Sequence, residues 1–259
     1  MVYKYIFSLL LIILVSCKEI DRDNILDPKN PSSKSEKILV LEAFVNTADN
    51  LHLFNEYALA AIDELTSDDD LKGHLIVLEY HRDTQQYTDP LEADSFNTEA
   101  LYNSYLSIDA ARFKGVPDLF LNGAEARVQG ASNATNVFNR VKDLAIDQLL
   151  DDGQYTIEAD FELNGETISG TYRIARLGNI SSNPMQLRMV ITWDSGETCK
   201  KTVSRVATPL QISKIDAGKY IESDFTIDGI PAGKAEKLIL ILTDDSGVNI
   251  LHALEKEIL

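Results

Sequence analysis

The chain has 259 residues, 41 Asp and Glu against 24 Lys and Arg, and a formal net charge of -17; 44% of it is hydrophobic and 25% charged. This is ordinary globular composition, which excludes a disordered tail, a collagen-like fibre and a polytopic membrane protein. A field of this sign repels phosphate backbones, so nucleic-acid binding is excluded and the acidic surface reads as a solubility device. At roughly 150 residues per domain the length suggests one or two domains. A chain of this size folds without needing a disulfide or a metal.

Lys4 opens a short basic start, and residues 6–15 are apolar apart from Ser8. Such a run is too short to span a bilayer core, which takes roughly 20 residues of helix, and reads as a signal-peptide core. It is followed by Leu14-Val15-Ser16-Cys17. This pattern resembles the lipobox of bacterial lipoproteins. The resemblance implies cleavage after residue 16, lipid on the sulfur and amino group of Cys17, and a membrane partner reached through that anchor. An ordinary signal peptide with an incidental cysteine is the alternative. Cys199 is the second cysteine of two. With Cys17 lipidated it has no intramolecular disulfide partner, and it reads as a buried strand residue without chemical consequence. Residues 17–36 mix charges with Pro28 and Pro31 and read as a tether. Lys18, where an Asp would favour inner-membrane retention, points by the lipoprotein rule to the outer membrane; Glu19, Asp21 and Asp23 are a weak hint of surface export.

Residues 37–44 (K-I-L-V-L-E-A-F) suit a buried strand. Phe54, Ala58, Ala61, Ile62 and Leu65 share a helical face, with Asp49 or Asn50 as the cap. Residues 74–81 read as a second buried strand and residues 95–112 as a helix. Residues 118–122 and 125–130 form a hairpin around Asn122-Gly123. Residues 137–150 make a third amphipathic helix. The order is β-α-β-α-β-β-α. From residue 154 the period becomes two, and about seven short strands suggest an antiparallel sandwich, with Asn164-Gly165 as one hairpin turn.

The first order, with Leu41-Glu42-Ala43-Phe44-Val45-Asn46-Thr47, Val77-Leu78-Glu79-Tyr80-His81 and Gly115-Val116-Pro117-Asp118-Leu119-Phe120-Leu121-Asn122-Gly123, resembles thioredoxin-like outer-membrane lipoproteins that carry a C-terminal β-rich domain. The expected layout is a signal peptide (1–16), a tether (17–36), an α/β thioredoxin-like domain (37–151) and an all-β, immunoglobulin-like sandwich (152–259). Where redox-active relatives place Cys-x-x-Cys, this chain has Asp49-Asn50-Leu51-His52. Both sulfurs are missing, so disulfide exchange at this position is chemically excluded. No nucleophile elbow or phosphate loop is present either, and neither an enzyme nor a cofactor is expected. The resemblance implies a cis Pro117, with the Val116 main chain offered to an extended peptide by strand addition. Pro117 as a mere fold determinant is the alternative. Asp49, His52 and His81 could converge as donors for a small ligand or zinc; a helix cap beside two exposed histidines is the plainer account, and no metal is expected. Asp68-Asp69-Asp70 reads as a solvated acidic loop. The expected role is a non-catalytic envelope lipoprotein binding a protein or peptide, with a ligand carrier and a structural accessory subunit as the alternatives.

Overall fold

The structure is a computed structural model that describes residues 23–48, 52–124, 126–196 and 199–258. Cys17 and Asp49 lie outside the described residues, and of His52 only the main chain is described. The order in the first half is β1 (Leu39–Val45), α1 (His52–Ser67), β2 (Leu75–His81), α2 (Ser95–Ser107), β3 (Asp118–Leu121), β4 (Ala126–Gln129) and α3 (Ala134–Leu149). Eight strands follow: β5 (Tyr155–Asn164), β6 (Thr167–Arg176), β7 (Met185–Trp193), β8 (Thr202–Val206), β9 (Leu210–Ile212), β10 (Tyr220–Ile227), β11 (Lys237–Asp244) and β12 (Ile250–Glu257).

The alternation of β1 and β2 sets the layers. Leu39, Leu41, Ala43 and Val77 face a core covered by α1 and α3, through Ala58, Ile62 and Leu65 on one helix and Val137, Val141 and Ala145 on the other. Val40, Phe44, Ile76, Leu78 and Tyr80 face the opposite way, against Tyr102 and Tyr105 of α2. A period of two sends successive side chains to opposite faces, so a strand covered on both sides is apolar throughout.

α3 starts a turn earlier than its apolar face suggests. Asn133 caps it, accepting from the Asn136 N–H at 2.8 Å. Asn133→Ala is expected to cost about 1 kcal/mol, read as a shift in the urea midpoint without a change in slope. α2 ends earlier than expected, at Ser107. The Asp109 carboxylate accepts from the Ala111 N–H at 2.8 Å, and the Arg112 guanidinium folds back onto the Tyr105 carbonyl at 2.9 Å. This local side-chain pairing competes with helical bonds.

The second half does not close a sheet of its own. Nine strands from both halves form one mixed sheet, ordered β12-β11-β7-β8-β2-β1-β3-β4 with β9 on β7. The junction is a short parallel pairing of β2 with β8 at Glu79 and Thr202. Only β5, β6 and β10 stand apart, as a three-stranded antiparallel sheet. It packs through Ile157, Ile168, Ile174 and Phe225 onto Leu187, Met189, Leu238 and Leu240 of the large sheet. Two stacked sheets are therefore present, but one of them is shared with the α/β half.

The large sheet also curls. Its β3–β4 turn bonds to the start of β12, with Ala124 donating to the Val248 carbonyl and Ile250 to the Asn122 carbonyl. Gly123, at φ 101, sits where a Cβ would lie 2.1 Å from the Val248 carbonyl oxygen, so no side chain fits there. Inside the curl, Glu42 of β1 meets Arg188 of β7 at 2.6 Å, both side chains buried.

The stretch expected to tether the body is, in its described part, laid against it. Ser35 pairs with Gly153 as an isolated bridge, and its hydroxyl donates to the Tyr155 carbonyl at 2.7 Å. The Gly178 N–H donates to the Ser33 hydroxyl at 2.8 Å. The polar residues that read as linker composition bond here to main chain instead. Among the described residues, no helix is long and apolar enough to cross a membrane.

Candidate functional site

The Val116–Pro117 peptide is cis, as the resemblance implied. Pro117 is buried and Val116 half-exposed. Among the described residues, no hydrogen bond engages the Val116 main chain. Beside it opens a groove of about 500 Å³ lined by Arg82, Thr84, Gln85, Gln86, Tyr87, Lys114, Gly115 and Val116.

The groove floor is braced from below. The Tyr102 hydroxyl lies 2.9 Å from the Gly115 carbonyl and 2.8 Å from the Asp118 carboxylate, which share its one proton, and accepts from the Gly115 N–H. Arg127 holds Asp118 with two bonds, at 2.8 and 2.6 Å. Burial lifts the Asp118 carboxyl above its usual range despite the opposing Arg127 and Tyr102. Burial also raises the Tyr102 hydroxyl, so it stays a donor. The Arg82 guanidinium stacks 4.4 Å from the Tyr102 ring and pairs with Glu99 at 2.6 Å, and Lys114 reaches the same carboxylate at 3.3 Å. Asn46 closes the far side, its amide donating to the Arg82 and Tyr87 carbonyls. Such a floor is rigid, with its main-chain edge left open.

His81 does not belong to that edge. The plainer account expected it exposed, but its side chain is wholly buried, with Nδ1 3.0 Å from the Asp89 carboxylate. The reason is register: His81 ends β2 on the face that α1 and α3 cover, one residue before the chain turns out at Arg82. Asp89 also accepts from the Thr47 N–H and hydroxyl. Burial would raise the Asp89 carboxyl, but the His81 ring and neighbouring N–H groups hold it below the usual range. Convergence of His81 with Asp49 and His52 lies outside the described residues. Cys199 is also placed differently: it is buried in the β7–β8 loop rather than in a strand. Its carbonyl accepts from the N–H and hydroxyl of Ser195 at 3.0 and 2.7 Å, which turns the chain before β8 begins. The acidic loop is not merely solvated, since Lys142 of α3 pairs with Asp68 at 2.7 Å and Asp70 at 2.8 Å.

No protein-family profile matches this chain, and no curated protein does. Among solved structures the chain is similar to HBP35 of Porphyromonas gingivalis, with a TM-score of 0.59 at 14% identity over 86% of this chain and 76% of that one. The fold is shared. Weaker likenesses span about two fifths of this chain: sporulation control protein Spo0M from Bacillus subtilis (TM-score 0.28, 21% identity, 41% of this chain and 49% of that one) and β-glucosidase 3B from Thermotoga neapolitana (0.28, 15%, 40% and 16%).

The sequence named Val116 and Pro117 but missed the rest of the groove. Thr84 to Tyr87 form a loop without helical or strand period, and Arg82 and Lys114 are drawn together by Glu99. A signal was available in Tyr102: a tyrosine on the apolar face of a helix needs a partner for its hydroxyl, and the nearest polar main chain is the cis-proline segment.

Proposed function

We propose that this chain is a non-catalytic, lipid-anchored protein of the bacterial cell envelope, held in the outer membrane through Cys17, that binds an extended segment of another envelope protein. In this reading the first half is a thioredoxin-like unit without redox cysteines. The second half is an immunoglobulin-like unit fused to it through the shared sheet. The observation that carries the reading is the unpaired Val116 main chain ahead of cis Pro117, at the rim of an open groove. An extended peptide laid there adds hydrogen bonds to an N–H and a carbonyl already fixed in place, so little ordering entropy is lost on the protein's side. Gln85, Gln86 and Tyr87 would supply side-chain contacts, and Lys114 with Arg82 favours an acidic residue in the partner.

The test is cross-linking of the full-length lipoprotein in intact cells, with a Cys17→Ser form as the anchoring control. Gln86→Trp, which fills the groove without touching its floor, is expected to reduce the cross-linked partner at least about tenfold, the loss of about 1.4 kcal/mol of binding. A partner recovered equally with Gln86→Trp would place the interaction elsewhere. Dithiol-dependent reduction of a disulfide substrate by the purified protein would overturn the non-catalytic assignment.

A further inference from the structure

β2 places Glu79 and His81 on one face, two residues apart, toward the core shared with α1 and α3. Cys199 belongs to the same core and enters it from the loop that precedes β8. One donor atom from each of Glu79, His81 and Cys199 lies within 4.8 Å of the others, and all three residues are buried. They come from opposite halves of the molecule and meet where β2 and β8 pair in parallel.

We propose that Glu79, His81 and Cys199 form a binding site for one divalent cation of the zinc class. Carboxylate oxygen, imidazole nitrogen and thiolate sulfur are the donor types that zinc accepts, at about 2.0–2.3 Å. A tetrahedral ion then needs its donors roughly 3.3–3.8 Å apart, so the three would close in by at most about 1.5 Å. Three protein donors leave one position for a small exogenous ligand.

Independent of that clustering, the His81 ring carries an unmet need. Nδ1 is engaged by Asp89, while Nε2 is buried with no hydrogen-bond partner among the described residues. A buried polar atom left unpaired is costly. Asp89, acceptor-only as a carboxylate, accepts a hydrogen bond from Nδ1–H, which leaves the lone pair on Nε2 as the ring's atom for a metal. A carboxylate behind a histidine in this way orients the ring and strengthens it as a metal ligand. Asp89 is itself fixed by the Thr47 N–H at 2.8 Å, so the support extends outward from the ring.

The remaining donors are held as well. The Lys201 N–H donates to Glu79 Oε2 at 3.0 Å, tying the carboxylate to the loop that carries Cys199. That loop is closed by the bonds from Ser195. Charge balance also favours a dication: a thiolate and a carboxylate with a neutral imidazole carry two negative charges, which one divalent ion cancels in a buried site.

The probe is Co²⁺ alone, titrated into the full-length protein in detergent after treatment with a chelator. One equivalent is expected to bind, with a thiolate-to-cobalt charge-transfer absorption that one equivalent of Zn²⁺ abolishes. Cys199→Ala keeps an apolar side chain in an apolar core and is expected to remove the band. It should weaken binding by at least about a hundredfold, beyond the ten- to hundredfold typical of losing a supporting residue. Asp89→Asn is expected to retain the band and weaken binding within that ten- to hundredfold range. Wild-type protein that takes up less than about a tenth of an equivalent overturns the site. So does a band that persists unchanged in Cys199→Ala. Should that variant fail to fold, the wild-type spectrum decides, because the band itself reports sulfur ligation.

Discussion

Arg188→Met is expected to lower the unfolding free energy by about 3–5 kcal/mol, the cost of leaving a buried carboxylate without its cation. The carboxylate is Glu42, at the centre of β1. It accepts from Arg188 Nη2 at 2.6 Å, from the Tyr80 hydroxyl at 3.1 Å and from the Tyr105 hydroxyl. Arg188 also donates to the Tyr105 oxygen at 3.4 Å. Burial by itself would pull the Arg188 guanidinium down, but Glu42 and the tyrosines hold it above its ordinary value. Burial and then the Glu42 charge push the Tyr80 hydroxyl up; burial does the same for Tyr105 against the opposing Arg188 charge, so both remain donors. Because Glu42 belongs to the first half and Arg188 to the second, the pair locks the two halves inside one curled sheet. The double replacement Glu42→Leu with Arg188→Met is expected to recover most of the loss, since matched apolar groups need no compensation. Urea unfolding of the single and double variants gives the coupling energy directly. A single-variant loss below about 1 kcal/mol would show that the pair does not hold the halves together.

The same pair marks what the sequence could and could not disclose. Glu42 sits in an otherwise apolar strand, and a charge within such a run demands a partner. Nothing local says that the partner is Arg188, 146 residues away. Elements were legible wherever a local period decides them: the apolar run of β1, the alternating β5 and the face of α3 through Val137, Val141 and Ala145. The cis peptide at Pro117 was legible only by resemblance. The sharing of one sheet by both halves was not legible. It rests on a short parallel contact between β2 and β8, and a pairing that brief leaves no pattern in either strand. Glu79 and His81 could have been placed on one face by counting in twos. Cys199 reads as an isolated buried thiol until the Ser195 turn brings it to them. β9 is three residues long, too short to show a period. In the described part of the tether, polar composition is satisfied by main-chain groups of the folded body, and composition does not say which partner a polar residue finds.

Lowering the pH from about 7.5 to 4 is expected to cost the wild-type protein about 3 kcal/mol more than it costs a His252→Gln variant. His252 lies on β12 opposite Leu242 of β11, is buried, and among the described residues has no hydrogen-bond partner at Nδ1. Burial, with a smaller push from Lys37, lowers its pKa from 6.5 to about 4. The unfolded chain then takes up a proton near pH 6.5, whereas the folded chain keeps the ring neutral until about pH 4. Across that window the unfolded state binds more protons, so stability falls as pH falls. It is fully present above about pH 6.5, declines by about 1.4 kcal/mol per pH unit between the two values, and levels off below the folded pKa. Carboxylates paired in the fold, such as Asp68 and Asp160 with their lysines, titrate lower and alike in both proteins. The difference between wild type and variant therefore isolates the histidine. Equal pH dependence in the two would mean that the His252 ring takes its proton in the folded state, and that β12 opens to solvent before the rest of the sheet.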